Sequence, residues 1–434
     1  MDERPVNWDH RFQYASLTDV GLRRANNQDS LVIALASSRE RWEQRGHLFM
    51  VADGMGAHAA GELASKLATD VVPLTYFKVL DLPAPEALLA AVRDANAQIN
   101  GRGRANPDFT GMGTTVSILT VLPEGALTAH VGDSRVYRWR DNRLEQLTFD
   151  HSLVWEMRAA RQIPESEVPS FIPKNVITRS LGPSPQVEID LEGPFPIRVG
   201  DTFVLCSDGL SGPVDDAEIG QIVGCLPPDE AARALVDLAN LRGGPDNVTV
   251  VLVRVIGDEL LRDGDGDARP VWAHSARPVR PAVWTLLVAF ALAGVGFALF
   301  QHMLAALGSF VGAAALGLGI LIERRQRENP SIDGGNRRYG KGPYTACDCS
   351  ASLGLVDRLV ESTHQLRDAA TSEQWNVDWD RFDAHVDRAL VATKAEDYPE
   401  AVREHCYAIR VMMGELKNQR GRKRPDGADV TDFS

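Results

Sequence analysis

The stretch HLFMVADGMGAHAAGELASK, residues 47–66, decides how the chain is read. Residues 47–52 form an apolar run of strand length that stops at Asp53-Gly54, and from Glu62 apolar residues recur at helical spacing. A strand closing in Asp-Gly is, by itself, ordinary turn chemistry. The pattern returns, however. Asp133 closes AHVGDSR (129–135), Asp208 closes VLCSDG (204–209), and Asp246 in GPDN (244–247) opens VTVVLV. Antiparallel sheets bring such strand ends onto a shared edge, so the four carboxylates are expected to converge. Clustered carboxylates repel one another unless a cation sits among them. Oxygen-only donors suit Mg²⁺ or Mn²⁺ rather than zinc, and two such ions about 3.5–4 Å apart acidify a water and clamp a phosphoryl group. No zinc-type cysteine spacing, HExxH or phosphate loop ending in GK[ST] competes with this reading.

Outward from that stretch, runs rich in Val, Ile, Leu and Thr lie at 30–36, 114–122, 126–131, 135–140, 202–206 and 247–255. Helical spacing recurs at 62–79, 85–100 and 229–241. The runs flanking Pro123-Glu124-Gly125 predict a hairpin, and hence an α+β domain of antiparallel sheets with helices outside, over residues 12–257.

Residues 258–281, rich in Asp, Gly, Arg and Pro, read as a linker. Residues 282–322 contain no Asp, Glu, Lys or Arg. A helical span needs about 20 apolar residues, so two transmembrane helices are expected, at about 282–300 and 304–322. Arg277 and Arg280 before them and Arg324, Arg325 and Arg327 after them favour a hairpin in the inner membrane, in contact with lipid, both flanks facing the cytoplasm. The short connection at 301–303 also leaves a re-entrant or single tilted arrangement open. A polar linker (323–343), a helical region (344–417) and a disordered tail (418–434) complete the expected organisation. The tetratricopeptide-like hairpin at 389–402 cannot bury its apolar face alone, which points to a small helical bundle, self-associating or not, rather than a solenoid. Its position beyond the expected membrane hairpin suggests recruitment of a protein partner.

With 434 residues, two or three folded units are expected. A net charge of −13 argues against nucleic acid as a partner. Five scattered cysteines suggest a reducing compartment without a disulfide framework. The first residues lack the apolar core of a signal peptide. Cys347 and Cys349 would need Cys406 or His364 to complete a metal site; the alternative is loop cysteines.

TDVGLRRANNQD (18–29), VADGMGAHAAGELAS (51–65), GMGTT (111–115), GDSR (132–135), SDGL (207–210) and DN (246–247) follow in a fixed order. In that order and spacing, residues 12–256 resemble the bacterial metal-dependent serine/threonine protein phosphatases of type 2C. The resemblance implies a four-layer α/β/β/α sandwich. It also implies hydrolysis of protein phosphoserine and phosphothreonine by a metal-activated bridging water, opposing a Ser/Thr kinase. Two or three Mn²⁺ or Mg²⁺ ions are implied as well. Carried over position by position, Asp53 bridges two metals and the Gly54 carbonyl binds one of them. Asp208 and Asp246 complete the other site, Asp133 joins Asp208 at a third metal, and Arg24 grips the phosphate. Asp29 orients metal-bound water, and the flap beside the site falls within 148–181. Two departures stand out. Gln28 replaces a glutamate, which puts metal affinity in question, and Ala57 replaces a glycine. Met55 occupies the place of a general-acid histidine found in eukaryotic members, leaving His58 or metal-bound water as the proton source. A catalytically silent scaffold is the competing reading and rests on Gln28 and Ala57; a phosphatase of an anti-anti-sigma-like regulator would share the same chemistry.

Overall fold

The computed structural model describes residues 11–57, 59–161, 176–257 and 339–423. Its strands are β1 (Phe12–Asp19), β2 (Asp29–Ala34), β3 (His47–Met55), β4 (Gly113–Thr114), β5 (Val116–Leu122) and β6 (Gly125–Val131). They continue with β7 (Arg135–Arg140), β8 (Arg143–Gln146), β9 (Asp190–Phe195), β10 (Thr202–Cys206), β11 (Val248–Val255) and β12 (Thr345–Asp348). The helices are α1 (Arg39–Arg45), α2 (Ala60–Lys78), α3 (Ala84–Ala105), α4 (Leu153–Arg161) and α5 (Asp208–Ser211). After these come α6 (Asp216–Cys225), α7 (Pro228–Leu241), α8 (Leu353–Ser372), α9 (Trp379–Lys394) and α10 (Tyr398–Lys423).

Two antiparallel sheets form, in the orders β1-β11-β10-β7-β8-β12 and β2-β3-β5-β6-β9, with β4 paired to β3. Side-chain alternation explains the layering. In β10, Phe203 and Leu205 join Phe49, Val51, Leu119 and Val251 in a core between the sheets. Val204 and Cys206 point the other way, into a core shared with α6 and α7. Both faces of β10 are therefore covered, and a run with no polar alternation results. On the far side, α2 and α3 bury Ala64, Ala68, Val72, Leu88 and Val92. The hairpin expected at Pro123-Glu124-Gly125 joins β5 to β6, with Leu122 opposite Gly125.

Residues on either side of 258–338 belong to one compact unit. β12 pairs with β8 and extends the first sheet. Leu355, Val356, Leu359, Val402, Ile409 and Met412 enter the same core as Ile219, Ile222 and Leu235 of α6 and α7. The C-terminal helices thus bury their apolar face on the sheet-bearing body. The buried carboxylate of Glu218 (α6) ties the two parts, held by Arg242 Nη1 at 2.6 Å and Arg358 Nε at 2.7 Å. Packing at Gly220 is closer still: a Cβ there would lie 2.2 Å from Cys349 Sγ. Gly220→Ala is expected to cost about 1–3 kcal/mol by overpacking, measured as a lower Tm with faster amide exchange in α6 and α8.

The membrane hairpin expected from the sequence is corrected. No helix among the described residues is long and apolar enough to cross a membrane. Two of the long ones, α3 and α8, are amphipathic, with a buried apolar stripe and charged residues elsewhere. Residues 282–322 lie outside the described residues, and the hairpin, inner-membrane location and lipid contact have no support from the structure.

Candidate active site

Strand pairing gathers the carboxylates. β2 and β3 run antiparallel with Asp29 opposite Asp53. β10 and β11 pair with Cys206 opposite Val250, which sets Asp208, at the start of α5, beside Asp246, just before β11. Asp133 follows β6. Hydroxyls stitch these ends together. Ser207 Oγ donates to Asp29 Oδ2 at 2.7 Å, joining the two sheets. Asp53 N donates to Thr115 Oγ1 at 3.0 Å, and Thr115 Oγ1 lies 2.8 Å from Ser134 Oγ.

The electrostatics follow from crowding. Burial first, then the charges of Asp29, Asp208, Asp133 and Asp246, lift Asp53 well above the ordinary carboxylate range. Burial pushes Asp29 up to about 7 and, with Asp208 adding to it, Asp133 up to about 8. Asp208 is raised by burial and by Asp246. Asp29 Oδ1, Asp133 Oδ1 and Asp208 Oδ1 are buried without a hydrogen-bond partner. Among the described residues no three His, Cys, Asp or Glu side chains already stand as a ligand cluster. The carboxylates stand side by side at neighbouring strand ends rather than close on one point. Unpartnered, mutually repelling oxygens of this kind fit hard divalent cations.

Arg24 is carried by the loop between β1 and β2, and its Nη2 sits 2.6 Å from Asp246 Oδ2. That loop is sewn to the β11 end. Leu22 N and Arg23 N donate to Gly244 O, and Gln28 N donates to Asn247 Oδ1 at 2.8 Å. Asn247 Nδ2 in turn donates to Val20 O and Asn26 O. Gly21 has a φ of +77°, and a Cβ there would lie 2.1 Å from Asp246 O, so only glycine allows this approach. The Gln28 side chain reaches Gly56 O at 3.5 Å. Ala57 is absent from the residues with positive φ, so its methyl imposes no backbone strain. His58 lies outside the described residues, as do residues 162–175 of the expected flap.

Sequence reasoning gave no role to Asn247, Ser207, Thr115 or Arg135. Arg135 Nη2 meets Asp150 Oδ2 at 2.7 Å and its Nη1 meets Asp216 Oδ1 at 3.3 Å, fixing the Asp133 turn to α4's approach segment and to α6. The available signal was adjacency, since all four sit inside quoted motifs and three of them lie within two residues of a motif aspartate.

Two antiparallel sheets with crowded carboxylates at their strand ends and an arginine ion-paired to one of them are the arrangement expected of a metal-dependent phosphohydrolase. The family profile described as Protein phosphatase 2C matches residues 23–237. Protein phosphatase PhpP of Streptococcus pneumoniae is 36% identical over 56% of this chain and 97% of its own length. Serine/threonine protein phosphatase PstP of Mycobacterium tuberculosis is 38% identical over 60% of this chain, which spans 48% of that relative. The crystal structure of the same mycobacterial phosphatase superposes with a TM-score of 0.50 at 37% identity, covering 57% of this chain and 99% of that one. The Streptococcus agalactiae serine/threonine phosphatase gives a TM-score of 0.50 at 34% identity, over 56% and 99%. The chain belongs to the protein phosphatase 2C family and is a metal-dependent protein-serine/threonine phosphatase.

Proposed function

We propose that the carboxylate cleft hydrolyses phosphoserine and phosphothreonine in proteins with two or three Mn²⁺ or Mg²⁺ ions, in opposition to a Ser/Thr kinase. The carrying observation is that Asp29, Asp53, Asp133, Asp208 and Asp246 stand at neighbouring strand ends of the two sheets, near enough for the other four to raise Asp53, with buried unpartnered oxygens on three of the five. Asp53 and the Gly54 carbonyl would hold metal together, Asp208 and Asp246 would complete a second position, and Asp133 with Asp208 a third. The ions, when bound, supply an activated water and Lewis-acid stabilisation of the phosphoryl group. Arg24 binds phosphate oxygens through its planar guanidinium and steadies charge developing on them. Its ion pair with Asp246 holds it at the cleft mouth, with the Arg24 side chain 49% exposed and so open to substrate. Asp29, fixed by Ser207 and buried, orients the attacking water.

The test is hydrolysis of p-nitrophenyl phosphate and phosphothreonine peptides by the full chain, with and without Mn²⁺. Activity that survives chelation removes the reading, and a metal-loaded but inactive protein supports the silent scaffold instead. Gln28→Glu restores a charge near the cleft and is expected to tighten Mn²⁺ binding by about tenfold, read by activity against free Mn²⁺. A partner protein for the C-terminal helices would have to use faces other than the apolar one buried on α6 and α7. The opposing kinase is addressed by phosphopeptide profiling of a deletion strain.

A further inference from the structure

Cys347 and Cys349 take no part in the carboxylate cleft. Cys347 lies in β12 opposite Leu144, and Cys349 follows the strand's last residue. Their Sγ atoms are 3.5 Å apart. Backbone contacts fix this approach. Cys349 N donates to Asn142 O at 2.7 Å, and Asp348 Oδ1 accepts from Ser350 N at 2.8 Å and Ser350 Oγ at 2.7 Å, turning the chain just past the pair. Cys347 is half-buried, whereas Cys206 and Cys406 are buried and their thiols pushed up by burial. The hydrogen bond with Cys349 lowers the Cys347 thiol, Arg143 helping, while burial, Asp216 and Asp348 oppose. The same contact raises Cys349. Either thiol can donate across this contact, and each also faces a carbonyl, Cys347 Sγ that of Leu144 at 3.9 Å and Cys349 Sγ that of Cys347 at 3.7 Å. Cys347, the half-buried one of the two, is the sulfur a peroxide reaches first, with buried Cys349 placed to resolve it.

We propose that Cys347 and Cys349 form a redox-active dithiol, a modification site at which a peroxide closes the pair into a reversible disulfide. The Cys347 sulfur attacks a peroxide oxygen and the O–O bond breaks, leaving Cys347 as sulfenic acid and, for hydrogen peroxide, releasing water. The Cys349 sulfur then attacks the Cys347 sulfur. The S–O bond breaks, and the departing hydroxide takes the Cys349 proton and leaves as a second water. Two thiols are oxidised by two electrons and one peroxide is reduced. The sulfurs must close to about 2.05 Å, and Cys349 Sγ is the atom packed on Gly220 of α6. Closure must therefore shift sulfur positions at the contact that joins the C-terminal segment to the catalytic body.

The experiment titrates the reduced full chain with hydrogen peroxide, then blocks free thiols under denaturing conditions and maps them by mass spectrometry. The expected result is that the peptide holding both cysteines loses one hydrogen pair before Cys206, Cys225 or Cys406 reacts, and regains it with dithiothreitol. Cys349→Ser should stop the reaction at a Cys347 sulfenic acid that dimedone captures, and Cys347→Ser should leave Cys349 unoxidised over the same titration. Amide exchange in α6 and α8 should rise on oxidation of the parent chain and not of either variant. Labelling of Cys347 and Cys349 that persists while the other cysteines oxidise overturns the proposal, as does their oxidation only into links with other cysteines or other chains.

Discussion

Asp53→Asn and Asp208→Asn each lower kcat/KM by about 10³-fold or more, with the fold retained. Each removes an anionic oxygen from the centre of the carboxylate group, and losing about 4 kcal/mol of transition-state stabilisation corresponds to that factor. The substitution is nearly isosteric, and it relieves repulsion in the metal-free state, because the charge of Asp208 raises Asp53 and burial raises both. Both variants should therefore melt at or above the parent's Tm in chelator while losing activity at saturating Mn²⁺. Activity within tenfold of the parent in either variant would remove those carboxylates from the mechanism. Melting well below the parent would show that the loss is structural.

Metal withdrawal should make stability fall as pH rises. Asp29 and Asp133 have folded-state values near 7 and 8, above the unfolded carboxylate range. A raised folded pKa contributes stability that is complete below the unfolded value, about pH 4, and is lost as pH climbs through 7 and 8. A bound cation neutralises the same repulsion, so the slope should flatten in Mn²⁺. With Mn²⁺ at about 100 times its Kd, the Tm should rise by roughly 5–10 °C at pH 8, and by less at pH 6. Thermal melts from pH 6 to 9, in chelator and in Mn²⁺, give the comparison. Equal slopes under the two conditions would contradict the assignment of these carboxylates to a cation site. Asp133→Asn should flatten the chelator curve alone.

Much of the catalytic domain was legible because its strands are short, apolar and sharply bounded. β5, β6, β7 and β10 coincide closely with the apolar runs, and α2, α3 and α7 with the helical spacing. The strands that escaped notice share a physical cause. β1 has one buried residue and otherwise polar or half-exposed ones, since it is an edge strand paired only with β11. β9 contains Gly193-Pro194, residues that normally argue against a strand. β8 and β12 are four residues each, too short for a period to show. The apolar run 282–322 argued for membrane helices by composition alone, and no described helix supports that outcome.

By itself the sequence determined which carboxylates the protein carries at its strand ends, their order, and the kind of cation their oxygens suit. Those properties are local: a residue's donor chemistry and its place at the end of an apolar run do not depend on distant neighbours. Tertiary structure decided the rest. It brought Asn247 onto Gln28, 219 positions away, and set Arg24 against Asp246 across 222. It also laid the C-terminal helices on α6 and α7 and extended the sheet with β12. An amphipathic pattern states that a face must be buried, but which face meets it depends on the shapes of both surfaces. Only the folded chain brings those two surfaces together.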